Sequence, residues 1–331
     1  MKWQIHDLNS IEQYWPDWNR LNRTSVDSPL LEQRFVAHLL KYFSTGDEKL
    51  AVASNNETII ALAVLTKGKP GSWSTFQPSQ SPLGLWIHDQ QFELEALLKN
   101  LAKTLPGFIL NVGITQQDPD MLQRPAESSN ISTLGYIDTA RITIDGDFDD
   151  YWSKRGKNLR QNMNRQRNRL ARENITTRLI TLTSPEEMEL GVKMYGELES
   201  AGWKSENGTA VHIDNHQGQF YKAMLSEFAK TEDAQIYQYW YDDTLTATDL
   251  CIGNQNTFII LKTTYDESQT TSSPALLMRR EYFESLINNC AFKRIEFYGK
   301  VMTWHTKWSD EIRTMYHVNF YPWSIIKRLK T

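Results

Sequence analysis

Three acidic residues in the second half of the chain stand where a carboxylate could act as a general base. Glu199 continues the apolar stripe of a predicted helix, four residues after Tyr195, and Asp249 lies in the middle of a predicted strand. Asp266 follows a strand that is apolar on both faces. A carboxylate that faces the core must be paired or have a raised pKa, and we predict that Glu199 and Asp249 point into one cleft. The alternatives are that the helix frays, so that Glu199 reaches water, and that Asp249 lies on a solvated sheet face.

Other reactive residue types give weaker patterns. His305, in Trp304-His305-Thr306-Lys307-Trp308, is a packed or capping histidine or a catalytic acid. No histidine pair has ligand spacing with acidic or cysteine partners, so no metal site is predicted. Cys251 and Cys290 lie in apolar contexts, which predicts buried, unreactive thiols in a reducing compartment. The absence of a G-x-S-x-G elbow and of a P-loop argues against simple serine hydrolases and NTPases.

The segment from Lys154 to Arg172 is strongly basic. Its eight cationic residues are Lys154, Arg155, Lys157, Arg160, Arg165, Arg167, Arg169 and Arg172, and no acidic residue interrupts them. Leu159, Met163 and Leu170 supply a thin apolar seam, which predicts an exposed helix with one buried edge. The run is either a solvated face or a site for a polyanion: cofactor phosphates, a nucleotide-sugar, lipid headgroups or RNA.

A second candidate anion site follows the strand Phe258 to Leu261. This strand is apolar on both faces, which predicts a central position, and Ser273-Pro274 then opens a helix. The first amides of a helix are free donors beside the sheet. Here they would be the amides of Ala275, Leu276 and Leu277, although the loop lacks a glycine-rich phosphate cradle.

The elements around these residues predict a mixed α/β (α+β) fold with two similar halves. Hairpins are predicted at Leu50–Ser54 with Thr58–Leu65, and at Ile236–Tyr241 with Leu245–Ile252. Ser184-Pro185-Glu186-Glu187 reads as a capping box. We place the boundary after Asp145, which gives an N-terminal domain at 1–145 and a C-terminal domain at 146–331.

Bulk composition sets wider limits. The chain has 331 residues, 40% hydrophobic residues and a net charge of −4, so it is globular and any basic site must be local. The start of the chain has no apolar leader, and no apolar run approaches the roughly 20 residues that span a bilayer. We therefore expect a cytoplasmic protein without a transmembrane segment.

Several motifs in the second half resemble the BioF2-like, or CelD-type, acetyltransferase domain. They are Asn158-Leu159-Arg160-Gln161-Asn162, Gly202-Trp203-Lys204 with Gly208-Thr209-Ala210, Lys262-Thr263-Thr264-Tyr265-Asp266-Glu267, and Ser273-Pro274. The resemblance runs from about Tyr151 to Trp308 and is fainter before it. That domain belongs to the GNAT superfamily and is related to the FemAB transferases. The resemblance implies tandem GNAT-like domains, the N-terminal one degenerate, with splayed central strands that admit a pantetheine arm.

The resemblance also implies a reaction: transfer of an acyl group from acetyl-CoA or another acyl-CoA to an amine. The acceptor would be an amino sugar or another small-molecule, glycan-linked or lipid-linked precursor in polysaccharide or envelope biosynthesis. Acyl transfer to an amine needs a base, an oxyanion donor and an acid for the thiolate. Glu199, Asp249 and Asp266 are then the base candidates, and Tyr265, Tyr298 and His305 have acid or positioning roles.

The remaining expected site residues bind the two substrates. Donor binding is expected of Lys157, Arg160, Arg165 and Lys262 with the amides of Ala275, Leu276 and Leu277, and acceptor binding of Trp203, Lys204 and Tyr298. The chain departs from many relatives in having Ala275 where they have glycine, and it lacks the Q/R-x-x-G-x-G/A loop. Two alternatives therefore stay open: a FemAB-like aminoacyl transferase whose partner is charged tRNA, and a non-catalytic anion- or RNA-binding relative.

Overall fold

The computed structural model describes residues 1–201 and 211–330, which form two compact units. Unit 1 comprises Met1–Thr139 with Arg313–Thr331, and unit 2 comprises Ala140–Ile312. The sequence placed the division after residue 145 and assigned the whole C-terminus to the second domain. The difference arises because the last strand pairs within unit 1, a contact between residues about 200 positions apart that no local pattern reveals.

The two predicted hairpins, the basic helix and the helix after the capping box are present, and their ends differ by a few residues from those predicted. In chain order the strands are β1 Lys2–Asp7, β2 Lys49–Asn55, β3 Thr58–Lys67, β4 Ser72–Thr75, β5 Trp86–His88, β6 Asn111–Gln117, β7 Ile131–Thr143, β8 Thr177–Leu182, β9 Ala234–Tyr241, β10 Thr244–Gly253, β11 Thr257–Tyr265, β12 Arg294–Glu296 and β13 Glu311–Phe320. The α-helices are α1 Trp15–Leu21, α2 Gln33–Phe43, α3 Leu94–Thr104, α4 Phe148–Ser153, α5 Lys157–Arg172, α6 Pro185–Ser200, α7 His216–Ala229, α8 Pro274–Asn288 and α9 Ser324–Lys330.

Unit 1 is built on a mixed sheet in the order β1-β2-β3-β4-β6-β13, with β5 also paired to β3. The pairs are antiparallel except for β4 with β6, which is parallel. Helix α3 covers one face with the buried residues Leu97, Leu98 and Leu101. They pack with β-strand side chains in a core that also contains Trp3 and Tyr316.

Unit 2 is built on a mixed sheet in the order β7-β12-β11-β10-β9-β8, in which β11 and β12 form the parallel pair. Helix α8 supplies much of the core, because its apolar residues occur at helical spacing. Tyr282 and Phe283 lie among aromatic rings there: the Tyr282 ring stacks on Tyr237 at 4.0 Å between centroids, and Phe283 meets Trp308 edge to face. The predicted mixed α/β fold with helices flanking mixed sheets is confirmed.

One prediction about the cysteines is wrong. Cys251 is buried in β10, but Cys290 is exposed just after α8, where the backbone turns with φ of +48°. An apolar neighbourhood in sequence does not bury a residue that follows the last turn of its helix. Within residues 1–201 and 211–330, no helix has both the length and the apolar content needed to cross a membrane.

Candidate active site

The candidate site lies where β11 and β12 separate. Strand β11 pairs with β10 along most of its length, but with β12 only at Thr257, Phe258 and Ile259. A bulge at Leu261 follows, because Leu250 opposes Lys262 whereas Cys251 opposes Ile260. On the other side of the gap, Tyr298 has a left-handed φ of +45°, which turns the chain after β12 at a cost of about 1–2 kcal/mol. The second half of β11 therefore has no pairing with β12.

A cavity of about 430 Å³ opens at this separation. Its lining residues come from α6, the end of β11, the start of α8 and the segment before β13, and they are Glu199, Thr263, Thr264, Tyr265, Glu267, Ser272, Ser273, Pro274, Ala275, Leu276, Arg279, Met302, Trp304 and Lys307. Its volume lies in the range that small-molecule sites occupy. All of these residues belong to unit 2.

Glu199 faces the interior and borders the cavity. The capping box at Ser184 fixes the start of α6, and its helical spacing aligns Tyr195 and Glu199 on the buried side. Glu199 is 3% exposed, so the frayed-helix alternative does not describe it. Its Oε1 accepts a hydrogen bond from the Tyr195 hydroxyl at 3.0 Å, and its Oε2 accepts one from the Val211 amide at 2.7 Å. Burial and then the Glu199 charge raise the pKa of Tyr195 well above its usual value, so the hydroxyl remains the donor.

Asp249 is also buried, but it lies behind the cavity wall. Its carboxylate accepts hydrogen bonds from Nε and Nη2 of Arg279, both at 2.9 Å, and from the hydroxyls of Tyr282 and Thr263, both at 2.7 Å. Four donors occupy the acceptor positions of one carboxylate. Asp249 therefore positions Arg279 and cannot accept a substrate proton without losing a donor. The single cleft expected for Glu199 and Asp249 needs correction, because Asp249 is absent from the cavity lining.

The two carboxylates are nevertheless joined through Thr263. The Tyr195 hydroxyl, which donates to Glu199, lies 3.2 Å from the Thr263 carbonyl oxygen. The Thr263 side chain contacts Asp249 and, at 2.6 Å, Nη2 of Arg279. Thr263 therefore links the two groups, because its carbonyl oxygen is joined to Glu199 through Tyr195 and its hydroxyl contacts the guanidinium of Arg279.

The remaining candidates for acid, base or positioning roles divide into two groups. Tyr265 borders the cavity and is 47% exposed. Asp266 caps its own turn by accepting from the Ser268 amide and the Gln269 side chain, both at 2.9 Å. Burial raises its pKa, but these hydrogen bonds outweigh that effect and hold the pKa below its usual value. Asp266 and the buried Tyr298 are both outside the cavity lining.

His305 supports the cavity wall from behind. Its Nδ1 accepts from the Met302 amide at 2.9 Å, and its ring stacks on Trp304 with centroids 3.5 Å apart. Burial, followed by the charge of Arg279, lowers the pKa of His305 to about 4. The ring is therefore neutral at pH 7, and it acts here as a packed and hydrogen-bonded residue.

The three amides expected as anion donors are not equivalent. Those of Leu276 and Leu277 both donate to the Ser273 carbonyl at 3.0 Å, which starts the hydrogen bonding of α8. No described residue accepts a hydrogen bond from the amide of Ala275. The predicted cluster of three donors is therefore corrected to one, because the turn at Ser273 already uses the other two.

The basic helix α5 lies next to this helix start. Gln166, buried on α5, accepts a hydrogen bond from the Ser273 amide at 2.8 Å. Lys157 and Arg165 are exposed, and Arg160 is partly buried with its Nε bound to the Arg155 carbonyl. None of these three borders the cavity among the described residues. The helix therefore offers cations near the cavity and not within it.

One further expected residue, Lys262, does not border the cavity. The Nζ of Lys262 lies 5.9 Å from the centroid of the Tyr221 ring, and Lys262 is absent from the lining. Trp203 and Lys204 fall outside the described residues.

Sequence reasoning missed the residues that give the cavity its charge and shape: Arg279, Glu267, Trp304 and Lys307. Arg279 had a detectable signal, because it interrupts the apolar face of α8 three residues after Leu276 and four before Phe283. A buried arginine needs a carboxylate partner. Asp249, an acidic residue in the middle of a strand, was the available carboxylate, and the structure shows that it binds Arg279.

We compared the chain with known protein families, curated proteins and solved structures. Residues 157–306 match the family model described as the acetyltransferase (GNAT) domain, and this range holds every lining residue except Lys307. No curated protein matches the sequence.

Several solved structures share the fold at low sequence identity. FemX has a TM-score of 0.63 at 9% identity over 100% of both chains. The C-terminal domain of a protein from Agrobacterium fabrum, described as a lysylphosphatidylglycerol synthetase, has a TM-score of 0.55 at 11% identity, over 93% of this chain and 92% of its own. L-PGS from Bacillus licheniformis has a TM-score of 0.51 at 11% identity, over 97% and 96%. The protein is a transferase whose residues 157–306 form a GNAT-type acetyltransferase domain, in a fold related to that of FemX.

Proposed function

We propose that the protein is an N-acyltransferase that moves an acyl group from a CoA thioester to an amine inside the 430 Å³ cavity. The observation that carries this proposal is the separation of β12 from β11 after Ile259, with the start of α8 at the same opening. A thioester arm needs an open strand edge for its amide groups. Its pyrophosphate needs N–H donors at a helix start.

The cavity residues divide into chemical roles on this proposal. The amine nitrogen attacks the thioester carbonyl, Glu199 takes the amine proton, and the C–S bond breaks to release the thiol. Backbone N–H groups on the open half of β11 stabilise the oxyanion. Tyr265, exposed at the cavity, returns a proton to the leaving thiolate. A positioned base of this kind contributes about 10²–10⁴ in rate.

The cations of α5 provide the second part of donor recognition. The hydrogen bond from the Ser273 amide to Gln166 holds α5 beside the start of α8. The exposed side chains of Lys157 and Arg165 can then bind those phosphates of the donor that the Ala275 amide does not contact. The acceptor class is the one that the resemblance implies: an amino sugar or a related envelope or polysaccharide precursor. Unit 1 is, on the same proposal, a degenerate copy of the catalytic unit.

A second candidate is aminoacyl transfer from charged tRNA, and the size of α5 favours it. The helix has 16 residues and is therefore about 24 Å long. Cations along such a length suit a nucleic-acid backbone better than the compact phosphates of one CoA molecule. The cavity is common to both candidates, so the donor separates them.

Thermal unfolding with each donor tests the proposal. Acetyl-CoA at a hundredfold excess over its Kd should stabilise the fold by about 2.7 kcal/mol. Ala275→Pro, which removes one N–H in a helical turn that tolerates proline, should weaken that effect, whereas Ala275→Gly keeps the amide and serves as its control.

Charge variants complete the experiment. Replacing Arg160 and Arg165 with Gln should weaken donor binding at low salt and much less at high salt, because screening shortens electrostatic range. Lys193→Gln, on the exposed side of α6, removes a charge elsewhere in unit 2 and should change nothing. Stabilisation by tRNA and not by acetyl-CoA would replace the first candidate with the second. No response to either donor would contradict both.

A further inference from the structure

Arg279 presents an unused hydrogen-bond donor to the cavity. Its side chain is 2% exposed, yet the residue borders the cavity, so the guanidinium is reached through that space. Asp249 and Thr263 bind its Nε and Nη2. No described residue accepts a hydrogen bond from its Nη1. Arg279 is not among the buried side chains whose polar atoms lack a partner, so solvent in the cavity reaches Nη1, and a ligand atom can take the place of that solvent.

The guanidinium is fixed before any ligand arrives. Its central carbon lies 4.3 Å from the centroid of the Trp304 ring, and two hydrogen bonds to Asp249 set its plane. Tyr282 holds the same carboxylate at 2.7 Å. A donor held in this way loses little conformational entropy on binding, so its hydrogen bond contributes more to affinity.

The partner chemistry follows from the surrounding charges. The ionisable groups that border the cavity are Glu199, Glu267, Tyr265, Arg279 and Lys307. Asp249 already neutralises much of the Arg279 charge, so a doubly charged phosphate near Nη1 would meet strong repulsion. A singly charged carboxylate accepts from Nη1 with less repulsion and gains a charge-assisted hydrogen bond.

We infer that Arg279 is a recognition residue for a substrate carboxylate, bound through Nη1 in the 430 Å³ cavity. The inference rests on the proposed function, in which Glu199 takes a proton from the substrate amine. Glu199 and Arg279 both border the cavity and are linked through Thr263, so one molecule in the cavity can place its amine at the first and its carboxylate at the second. The carboxylate can come from the acceptor or from a dicarboxylic acyl donor.

Two matched probe pairs distinguish these sources. Glucosamine and muramic acid are amino sugars that differ by a lactyl carboxylate, and acetyl-CoA and succinyl-CoA differ by a carboxylate on the acyl group. We would measure the Kd of all four by calorimetry with the full chain. One charge-assisted hydrogen bond should make the carboxylate member of one pair bind about tenfold tighter or more.

Arg279→Lys should abolish that preference, because lysine keeps the charge beside Asp249 but lacks the planar fork. Arg280→Lys is the matched control: Arg280 stacks on Phe148 and Trp152 outside the cavity, so the preference should persist. If Arg279→Lys does not fold, the neutral double variant Arg279→Gln with Asp249→Asn replaces it. Circular dichroism establishes which variants are folded.

The outcomes separate this inference from the proposed function. A preference for muramic acid that depends on Arg279 supports an acceptor carboxylate, even if acetyl-CoA fails to bind and the donor proposal is lost. A preference for succinyl-CoA supports a donor carboxylate. Donor binding without any carboxylate preference overturns the inference and leaves the proposed function standing. A preference that survives in folded Arg279→Lys, or no binding by any of the four probes, also overturns it.

Discussion

The two units have the same succession of strand pairs, apart from β5, which pairs with β3 in unit 1. In unit 1, β1 to β4 are antiparallel neighbours, β4 is parallel to β6, and β6 is antiparallel to β13. In unit 2, β8 to β11, then β12, then β7 repeat that pattern. The parallel pair has three residue partners in each unit, and a helix, α3 or α8, precedes its second strand.

The difference lies beyond the parallel pair. In unit 1 the Thr75 and Thr115 hydroxyls are hydrogen-bonded at 2.7 Å, and the Gly84 amide donates to the Thr115 carbonyl at 3.1 Å. The chain thus fills the position that in unit 2 is the cavity. Shared topology therefore does not suffice for a site. What matters is whether the connection after the strand enters the gap or leaves it open.

The largest effect expected from this comparison is on rate. Glu199→Gln removes the proposed base of unit 2 and should lower the transfer rate about 10²–10⁴-fold, measured by thiol release. Gln offers one acceptor oxygen to Tyr195 and Val211, so a stability loss of about 1–3 kcal/mol is also expected. Glu197→Gln on the exposed side of α6 is the control and should stay within twofold. Full activity in folded Glu199→Gln would remove Glu199 from the mechanism.

The next largest effect is on stability, and it differs between the buried ion pairs of the two units. Asp249→Asn should destabilise unit 2 by about 3–5 kcal/mol, because it leaves Arg279 buried beside a neutral group. Asp118→Asn should lower the stability of unit 1 by less, because Arg313 still has its ion pair with Asp120, at 3.0 Å. Urea unfolding measures both, and hydrogen exchange identifies the unit that opens. Equal losses would contradict the view that Arg279 depends on one carboxylate.

The smallest effect tests the filled gap. A Cβ at position 84 would lie about 2.5 Å from the Thr115 carbonyl oxygen, a backbone atom. Gly84→Ala should therefore destabilise unit 1 by about 1–3 kcal/mol. Gly68→Ala, whose Cβ would meet only atoms at 3.8 Å or beyond, should be nearly neutral when measured by the same unfolding transition. Similar behaviour of the two variants would show that the gap of unit 1 is not tightly filled.

Local patterns in the sequence predicted local structure well. The capping box and helical spacing predicted α6 and the inward direction of Glu199, since both depend on residues within a few turns. The two hairpins likewise followed from short polar turns between apolar runs.

Contacts between distant residues were not predictable in the same way. The pairing of Asp249 with Arg279 joins a strand to a helix 30 positions later. The amides of Leu276 and Leu277 are not free donors because the turn at Ser273 brings its carbonyl to them. Residue propensities do not determine the conformation of that turn. The position of the last strand depends on pairing with β6, far away in sequence.

That last strand has a consequence for the order in which the protein is made. Tyr316, Val318 and Phe320 of β13 belong to the core of unit 1, whose other residues precede position 140. Unit 2 needs only residues 140–312, so during synthesis its full set of residues leaves the ribosome first. Until β13 is synthesised, β6 in the sheet of unit 1 lacks its antiparallel partner. Unit 1 therefore becomes complete in sequence only after all residues of unit 2 have been synthesised.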